Sequence, residues 1–151
     1  MKTSESIVKL IAALAKAQAE MKPAVMDAKN SHFGNKYATF ASIINACRDP
    51  LSKNGLAFVQ ILSTEDSSWY IETTLFHESG EWISSGKLKL ILKDQTMQAL
   101  GSAITYAKRY SLCAMLGIVA DEDDDGQAAS QEKTDQVQKV VQQKTQGKGV
   151  L

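Results

Sequence analysis

Three strand-like runs separated by short polar loops place the strongest constraint on the fold of this chain. They cover residues 56–63, 69–76 and 82–93, with turn-forming residues at 65–68 and 78–81. Parallel strands need a crossover of a dozen or more residues, so loops this short are compatible only with antiparallel neighbours. The sequence therefore predicts an antiparallel three-stranded β-meander.

Helical periodicity surrounds the predicted strands. Apolar residues recur at helical spacing over residues 4–21 and predict a first helix. The same spacing resumes from about Thr39 and predicts a second helix, for which Asn54-Gly55 supplies the C-terminal cap. Pro50 is expected to kink or restart this second helix. A long helix is predicted from about 96 to 116. The fold class is therefore α+β, with the meander packed against the long helix and two N-terminal helices.

The composition changes after Ala120. Residues 1–120 carry 13 basic and 10 acidic side chains, a net charge of +3, whereas residues 121–151 carry 4 and 7, a net charge of −3. The second segment is acidic and rich in Gln, and it has too few apolar residues to form a core. We expect one mildly basic domain over 1–120 and a disordered tail over 121–151.

A row of lysines gives the first indication of function. Three lysines alternate with three leucines along the third strand: Lys87, Lys89 and Lys93 against Leu88, Leu90 and Leu92. Alternate strand residues lie about 7 Å apart, close to the phosphate spacing of an extended single strand of nucleic acid. The alternative interpretation is the solvated lysine face of a half-buried strand.

The long helix combines cations with aromatic rings. No acidic residue occurs between Asp94 and Asp121, and Lys108 and Arg109 stand between Tyr106 and Tyr110. Such rings can stack on bases beside cations that hold phosphates. The alternative is that the tyrosines belong to the core and the cations are ordinary surface residues.

A second cation lies next to an aromatic residue before the second helix. It is the pair Lys36-Tyr37, which follows a polar turn in the irregular or extended stretch 24–38. On its own this pair is a weak signal for nucleic-acid binding.

Catalytic and metal-binding motifs find little support. His32 and His77 are isolated from any nucleophile motif, and we expect neither an enzyme nor a cofactor. Residues Asp121 to Glu132 match the calcium-loop pattern, but Ala128 and the polar flanks favour a solvated linker. Cys47 and Cys113 are expected to be buried, reduced thiols. No apolar run approaches the ~20 residues of a membrane span.

Four segments resemble the essential-recombination-function family of phage single-strand annealing proteins. They are residues 36–38, 51–56, 73–82 and, most specifically, 98–112, which reads QALGSAITYAKRYSL. Leu116-Gly117-Ile118 and an acidic run ending in Gly126 follow in the same order. The resemblance covers about residues 4–128.

This resemblance implies a single-stranded DNA-binding protein that anneals complementary strands without ATP or a metal. It also implies a ring or filament of identical subunits in the cytoplasm of a bacterial host, with DNA in a groove beside the sheet and the long helix. Further partners would be a host single-strand-binding protein or a phage exonuclease. Transferred by position, Lys108 and Arg109 line the groove, and Lys36, Tyr37 and Tyr106 are secondary candidates. From the lysine row of the third strand, Lys87 and Lys89 are expected to add phosphate contacts. An oligomeric protein-binding scaffold and a calcium-binding protein remain as alternatives.

Overall fold

Helices cover one face of an antiparallel sheet in the computed structural model of the chain, which describes residues 2–30 and 34–121. The helices are α1 (Val8–Glu20), α2 (Phe40–Lys53) and α3 (Met97–Leu116). The strands are β1 (Lys2–Thr3), β2 (Ala28–Lys29), β3 (Lys36–Tyr37), β4 (Leu56–Glu65), β5 (Ser68–His77) and β6 (Trp82–Lys89). The predicted α+β class with antiparallel strands is confirmed.

The main sheet has the strand order β1-β6-β5-β4, and every pair in it is antiparallel. β4 and β5 pair from Leu56 opposite His77 to Glu65 opposite Ser68. The two residues between them, Asp66 and Ser67, have φ angles of 47° and 59°. A two-residue loop with both φ angles positive matches the right-handed twist of the flanking strands, so this turn sets the register of the hairpin.

The core lies between the sheet and the helices. β5 alternates in burial, with Ile71, Thr73 and Leu75 almost fully buried on the face that the helices cover. The core residues of α1 and α2 recur at three- and four-residue spacing: Leu10, Ala13 and Ala17 in α1, and Ile43, Cys47 and Leu51 in α2. In α3 the adjacent Leu112 and Cys113 lie four and three residues before Leu116. Cys47 and Cys113 are free, buried thiols, as the sequence predicted.

Side-chain and glycine caps define the helix ends. The hydroxyl of Thr39 accepts the backbone N–H of Ser42 at the start of α2, and that of Thr96 caps α3 in the same way. Asn54 and Gly55 close α2, as predicted, and Gly55 has a φ of +66°. Pro50 lies inside the last turn of α2, and the helix continues through it to Lys53, so the expected restart is wrong.

The structure departs from the predicted elements at four places. β1 adds a strand beside β6, and β2 and β3 form a small hairpin within the stretch expected to be irregular or extended. The third predicted strand ends at Lys89 instead of residue 93. Its pairing with β5 shifts at a bulge, where Gly86 has a φ of +79°. α1 begins at Val8, four residues later than expected.

No helix in the described part of the chain is both long and apolar enough to cross a membrane. The predicted tail begins at Asp121, where the described residues end, so the expected disorder of 122–151 lies outside them.

Candidate nucleic-acid interface

A groove of about 710 Å³ runs between the chain that leaves β6 and the N-terminal half of α3. It arises because the chain turns away from the sheet after Lys89 and reaches the cap of α3 at Thr96. Its walls are formed by Leu88, Lys89, Leu90, Ile91, Lys93, Asp94, Thr96, Gln98, Ala99, Ser102, Ala103, Tyr106, Ala107 and Tyr110. A groove beside the sheet and the long helix is the position that the resemblance implied for DNA.

Two exposed lysines, Lys89 and Lys93, supply the positive charge of the groove. Asp94 also lies in its wall, and its carboxylate accepts the backbone N–H of Thr96 at 2.9 Å together with the Thr96 hydroxyl. These hydrogen bonds lower the pKa of Asp94, so the carboxylate stays ionised while it supports the start of α3. The groove therefore carries two cations and one anion that is already hydrogen-bonded.

The aromatic side of the groove consists of Tyr106 and Tyr110, one turn apart on α3. Their ring centroids are 6.1 Å apart and their planes differ by 18°, so the two rings are stacked and nearly parallel. Tyr106 is 52% exposed and Tyr110 is 46% exposed. Faces this open can accept a flat apolar ligand, which is the requirement for base stacking.

Arg109 was expected to line the groove, and this expectation of an exposed cation is wrong. The residue is 5% exposed and does not line the groove. One guanidinium nitrogen, Nη1, donates to Asp121 Oδ1 at 2.8 Å and to the Ala38 carbonyl at 3.3 Å. The other, Nη2, donates to the Tyr110 hydroxyl at 3.0 Å. Its charge is therefore paired inside the protein.

The other candidates on α3 and on β3 do not line the groove. The Nζ of Lys108 is 4.7 Å from the ring centroid of Phe40, and the side chain is half-buried. Lys36 is exposed on β3, opposite Lys29. Tyr37, next to it, packs its ring against the Arg109 guanidinium at 4.7 Å.

Lys87 occupies a second hollow of about 550 Å³, which shares Leu88 and Tyr110 with the groove. Its Nζ lies 2.6 Å from the carboxylate of Glu65 and 5.8 Å from the ring centroid of Tyr70. The hydrogen bond and charge of Glu65 raise the pKa of Lys87. Both members of this ion pair are about half exposed, so a phosphate in solution can compete with Glu65 for Lys87.

The structure thus brings together two of the seven candidate residues, Lys89 and Tyr106, in one groove. It adds Lys93, which belongs to the same lysine row as Lys89, and Tyr110, which is adjacent to Arg109 in the sequence. Two polar side chains of the exposed helix face, Gln98 and Ser102, also line the groove. Lys93 belonged to the lysine row, so its alternation with leucine was the signal that could have identified it.

The first residue of the calcium-loop pattern already has an ion-pair partner. Asp121, its first position, is the ion-pair partner of Arg109 and pairs with Tyr37 as an isolated β-bridge. The remaining positions, 122–132, lie outside the described residues. Within residues 2–30 and 34–121, no three His, Cys, Asp or Glu side chains are grouped so that they could hold a metal ion.

The two histidines were set aside as catalytic candidates. The Nδ1 of His77 shares a hydrogen bond of 2.8 Å with the Ser79 hydroxyl in the turn that follows β5. His32 lies outside the described residues.

Comparison with known proteins gives one match. The family model described as the ERF superfamily matches residues 10–150, which is nearly the whole chain. Searches of curated proteins and of solved structures found no significant match. The matched range includes the groove-lining segment, Arg109 and its partners, and the chain therefore belongs to the ERF superfamily.

Proposed function

We propose that this protein binds single-stranded DNA in the groove between β6 and α3 and promotes the pairing of complementary strands. The observation that carries the proposal is the joint placement of Lys89 and Lys93 with the open rings of Tyr106 and Tyr110 in one groove. Membership of the ERF superfamily supports a role in phage-type recombination. No bond is made or broken in this function, so it requires neither a nucleophile nor ATP.

The chemistry of the groove suits a ligand without fixed sequence. Lysines attract backbone phosphates whatever the base, and tyrosine rings stack on any base because every base has a π-face. The surface around the rings is largely apolar, with Leu88 at 43% and Ile91 at 89% exposure. Duplex DNA keeps its bases stacked inside, so a groove that combines phosphate contacts with stacking favours a single strand.

Annealing then follows from how the strand is held. A strand bound by its phosphates and by occasional stacking keeps most hydrogen-bonding base edges available to a complementary strand. Two lysines per groove give modest affinity, so useful binding requires several copies acting on one strand. We propose a homo-oligomer, a ring or a filament, in which neighbouring grooves follow one another along the DNA in the cytoplasm of a bacterial host.

Annealing of two labelled complementary oligonucleotides without ATP tests the proposal. We expect purified protein to accelerate pairing, and added salt to reduce the effect because phosphate contacts release counterions. A noncomplementary pair serves as the control for aggregation of DNA. The variant Lys89→Ala/Lys93→Ala is expected to lose most of the acceleration.

A charge-matched control separates the groove from general electrostatics. Lys9 and Lys16 are exposed lysines of α1 that do not line the groove. The variant Lys9→Ala/Lys16→Ala removes the same two charges and is expected to anneal like the wild type. Equal losses in both double variants would show that the overall positive charge, and not the groove, is responsible for the effect. Absence of strand binding by the wild type would favour an oligomeric protein-binding scaffold.

A further inference from the structure

Arg109 is enclosed by three tyrosine rings. The guanidinium carbon lies 4.6 Å from the ring centroid of Tyr110, 4.7 Å from that of Tyr37 and 5.6 Å from that of Tyr106. We call Arg109 with these three rings and Asp121 the arginine cage. Tyr106 and Tyr110 come from α3, Tyr37 comes from β3, and Asp121 follows the end of α3, so the cage joins segments that are distant in the sequence.

The planar shape of the guanidinium explains why this position requires arginine. Its two terminal nitrogens donate to Asp121, to the Ala38 carbonyl and to the Tyr110 hydroxyl, while three aromatic rings lie around its central carbon. A lysine ammonium is a compact point charge with its donors on a single nitrogen, so it lacks a planar face for the rings and cannot make these bonds from two nitrogens. The charge of Arg109 is balanced by Asp121 and is almost fully shielded from solvent.

Two rings of the cage are also the two rings of the groove. Tyr106 and Tyr110 each turn part of their surface to Arg109 and about half of it to solvent. The Nη2 of Arg109 donates a hydrogen bond of 3.0 Å to the Tyr110 hydroxyl and thereby holds the outer end of that ring. Without the guanidinium, both exposed tyrosines would rotate about their side-chain bonds, and binding a base would then require ordering them first.

We propose that Arg109 is a positioning residue that holds Tyr106 and Tyr110 as a preformed two-ring platform for bases of single-stranded DNA. Arg109 itself contacts no DNA, because a phosphate would have to displace Asp121 and open the cage. This inference rests on the proposed function and adds to it which residue holds the two stacking rings in place.

Binding to a normal and to a base-free strand tests the inference. The probes are an oligothymidylate and an oligomer of abasic sites of the same length, which carries the same phosphates. We expect the wild type to prefer oligothymidylate by about 5- to 100-fold, the range typical of base stacking on an aromatic residue. Arg109→Lys keeps the positive charge and is expected to lose most of this preference, while its affinity for the abasic strand stays unchanged.

Other outcomes of the Arg109→Lys measurement have distinct meanings. Equal losses of affinity for both strands would overturn the inference, because loss of a phosphate contact or general damage to the fold acts on both. Full retention of the preference by Arg109→Lys would also overturn it, since charge alone would then suffice. A wild type that binds both strands equally would remove the stacking platform and leave phosphate binding intact, whereas binding of neither strand would remove the proposed function as well.

A second variant keeps the test decisive if Arg109→Lys fails to fold. Tyr37 contacts the guanidinium but does not line the groove. Tyr37→Leu is therefore expected to reduce the preference for oligothymidylate in part, although it removes no ring from the groove. In a Tyr106→Ala/Tyr110→Ala background the same change is expected to have no further effect, and an additive loss there would contradict the positioning role.

Discussion

The carboxylate of Glu81 accepts the backbone N–H of Leu10 at 2.7 Å and the Ser6 hydroxyl at 2.9 Å, although 71 residues separate Glu81 from Leu10. Ile7, at the N-cap position of α1, provides no side-chain hydrogen bond of its own. A side chain of the β5–β6 turn therefore satisfies the helix start and fastens α1 to the sheet.

Replacing Glu81 by Gln tests this contact. The hydrogen bond from Leu10 is the main cause that lowers the pKa of Glu81 below its ordinary value of 4.5. A lowered pKa means that the ionised form stabilises the fold above pH 4.5 and that this contribution is lost as the pH falls further. We expect Glu81→Gln to lower the Tm by a few degrees at pH 7 and by much less at pH 3, as measured by circular dichroism.

The matched control for Glu81→Gln is Glu78→Gln in the same turn, which is expected to leave the Tm nearly unchanged because Glu78 is exposed. A Glu81→Gln deficit of the same size at pH 3 and pH 7 would show that packing, and not the carboxylate charge, is responsible.

Asp27 makes a second carboxylate contact with a defined pH range. It accepts the backbone N–H and the hydroxyl of Thr39, each at 2.8 Å, and thereby holds the residue that caps α2. The N–H of Thr39 is the largest of the causes that lower the pKa of Asp27 from 3.8 to about 2. Its stabilising effect is complete above pH 3.8 and disappears as the pH falls through about 2.

The variant Asp27→Asn is therefore expected to be less stable than the wild type at pH 5, and most of this difference is expected to be lost near pH 2. Urea unfolding followed by fluorescence at several pH values measures the difference. Asp49→Asn, at an exposed position of α2, provides the control. A constant difference between pH 5 and pH 2 would contradict the role of the charge.

The two thiols are predicted to be unreactive in the folded protein. Cys47 is fully buried, and burial raises the pKa of Cys113 to about 11. Because the thiolate is the reactive form, we expect a disulfide reagent to label neither thiol rapidly at pH 8, and to label both at once in denaturant. Rapid labelling of Cys113 in the native protein would show that α3 opens locally, and rapid labelling of Cys47 would show the same for α2.

Much of the fold could be predicted because its signals are local. The two-residue turn at Asp66 and Ser67, the caps at Thr39 and Thr96, and the apolar stripes of the helices are all encoded within a few residues. β1 escaped prediction because a two-residue strand has no periodicity, and it exists only by pairing with β6. The third strand was predicted too long because the alternation of lysine and leucine continues past Lys89, where β6 ends.

The candidate site was harder to predict, and Arg109 shows why. Its place on the polar side of the helix indicates solvent exposure when α3 is considered alone. Tyr37 and Asp121 come from other segments and cover that side, so the cation became buried through tertiary contacts that no local pattern contains. Lys89 and Tyr106 were identified because each is exposed on its own element as well as in the fold.

The salt dependence of binding measures how many phosphates the groove holds. For single strands, log K falls with log salt by about 0.7 for each phosphate neutralised. If Lys89 and Lys93 each hold one phosphate, we expect Lys89→Ala/Lys93→Ala to reduce the slope by about 1.4. The control Lys9→Ala/Lys16→Ala is expected to keep the wild-type slope, and an unchanged slope in the groove variant would exclude both lysines as phosphate ligands.

Calcium provides the last test, because the ion and Arg109 would compete for the carboxylate of Asp121. The first position of a calcium loop contributes a carboxylate ligand, but here that carboxylate is paired with Arg109 at 2.8 Å. Calcium bound through Asp121 would place a second cation beside the buried guanidinium and weaken its ion pair, which is unfavourable. We therefore expect millimolar calcium to produce no binding heat in calorimetry and no rise in the Tm, with magnesium as the control. A calcium-specific rise in the Tm with the preference for oligothymidylate retained would show that the acidic run binds the ion while Asp121 stays in the arginine cage. A rise in the Tm accompanied by loss of that preference would show that calcium draws Asp121 out of the cage.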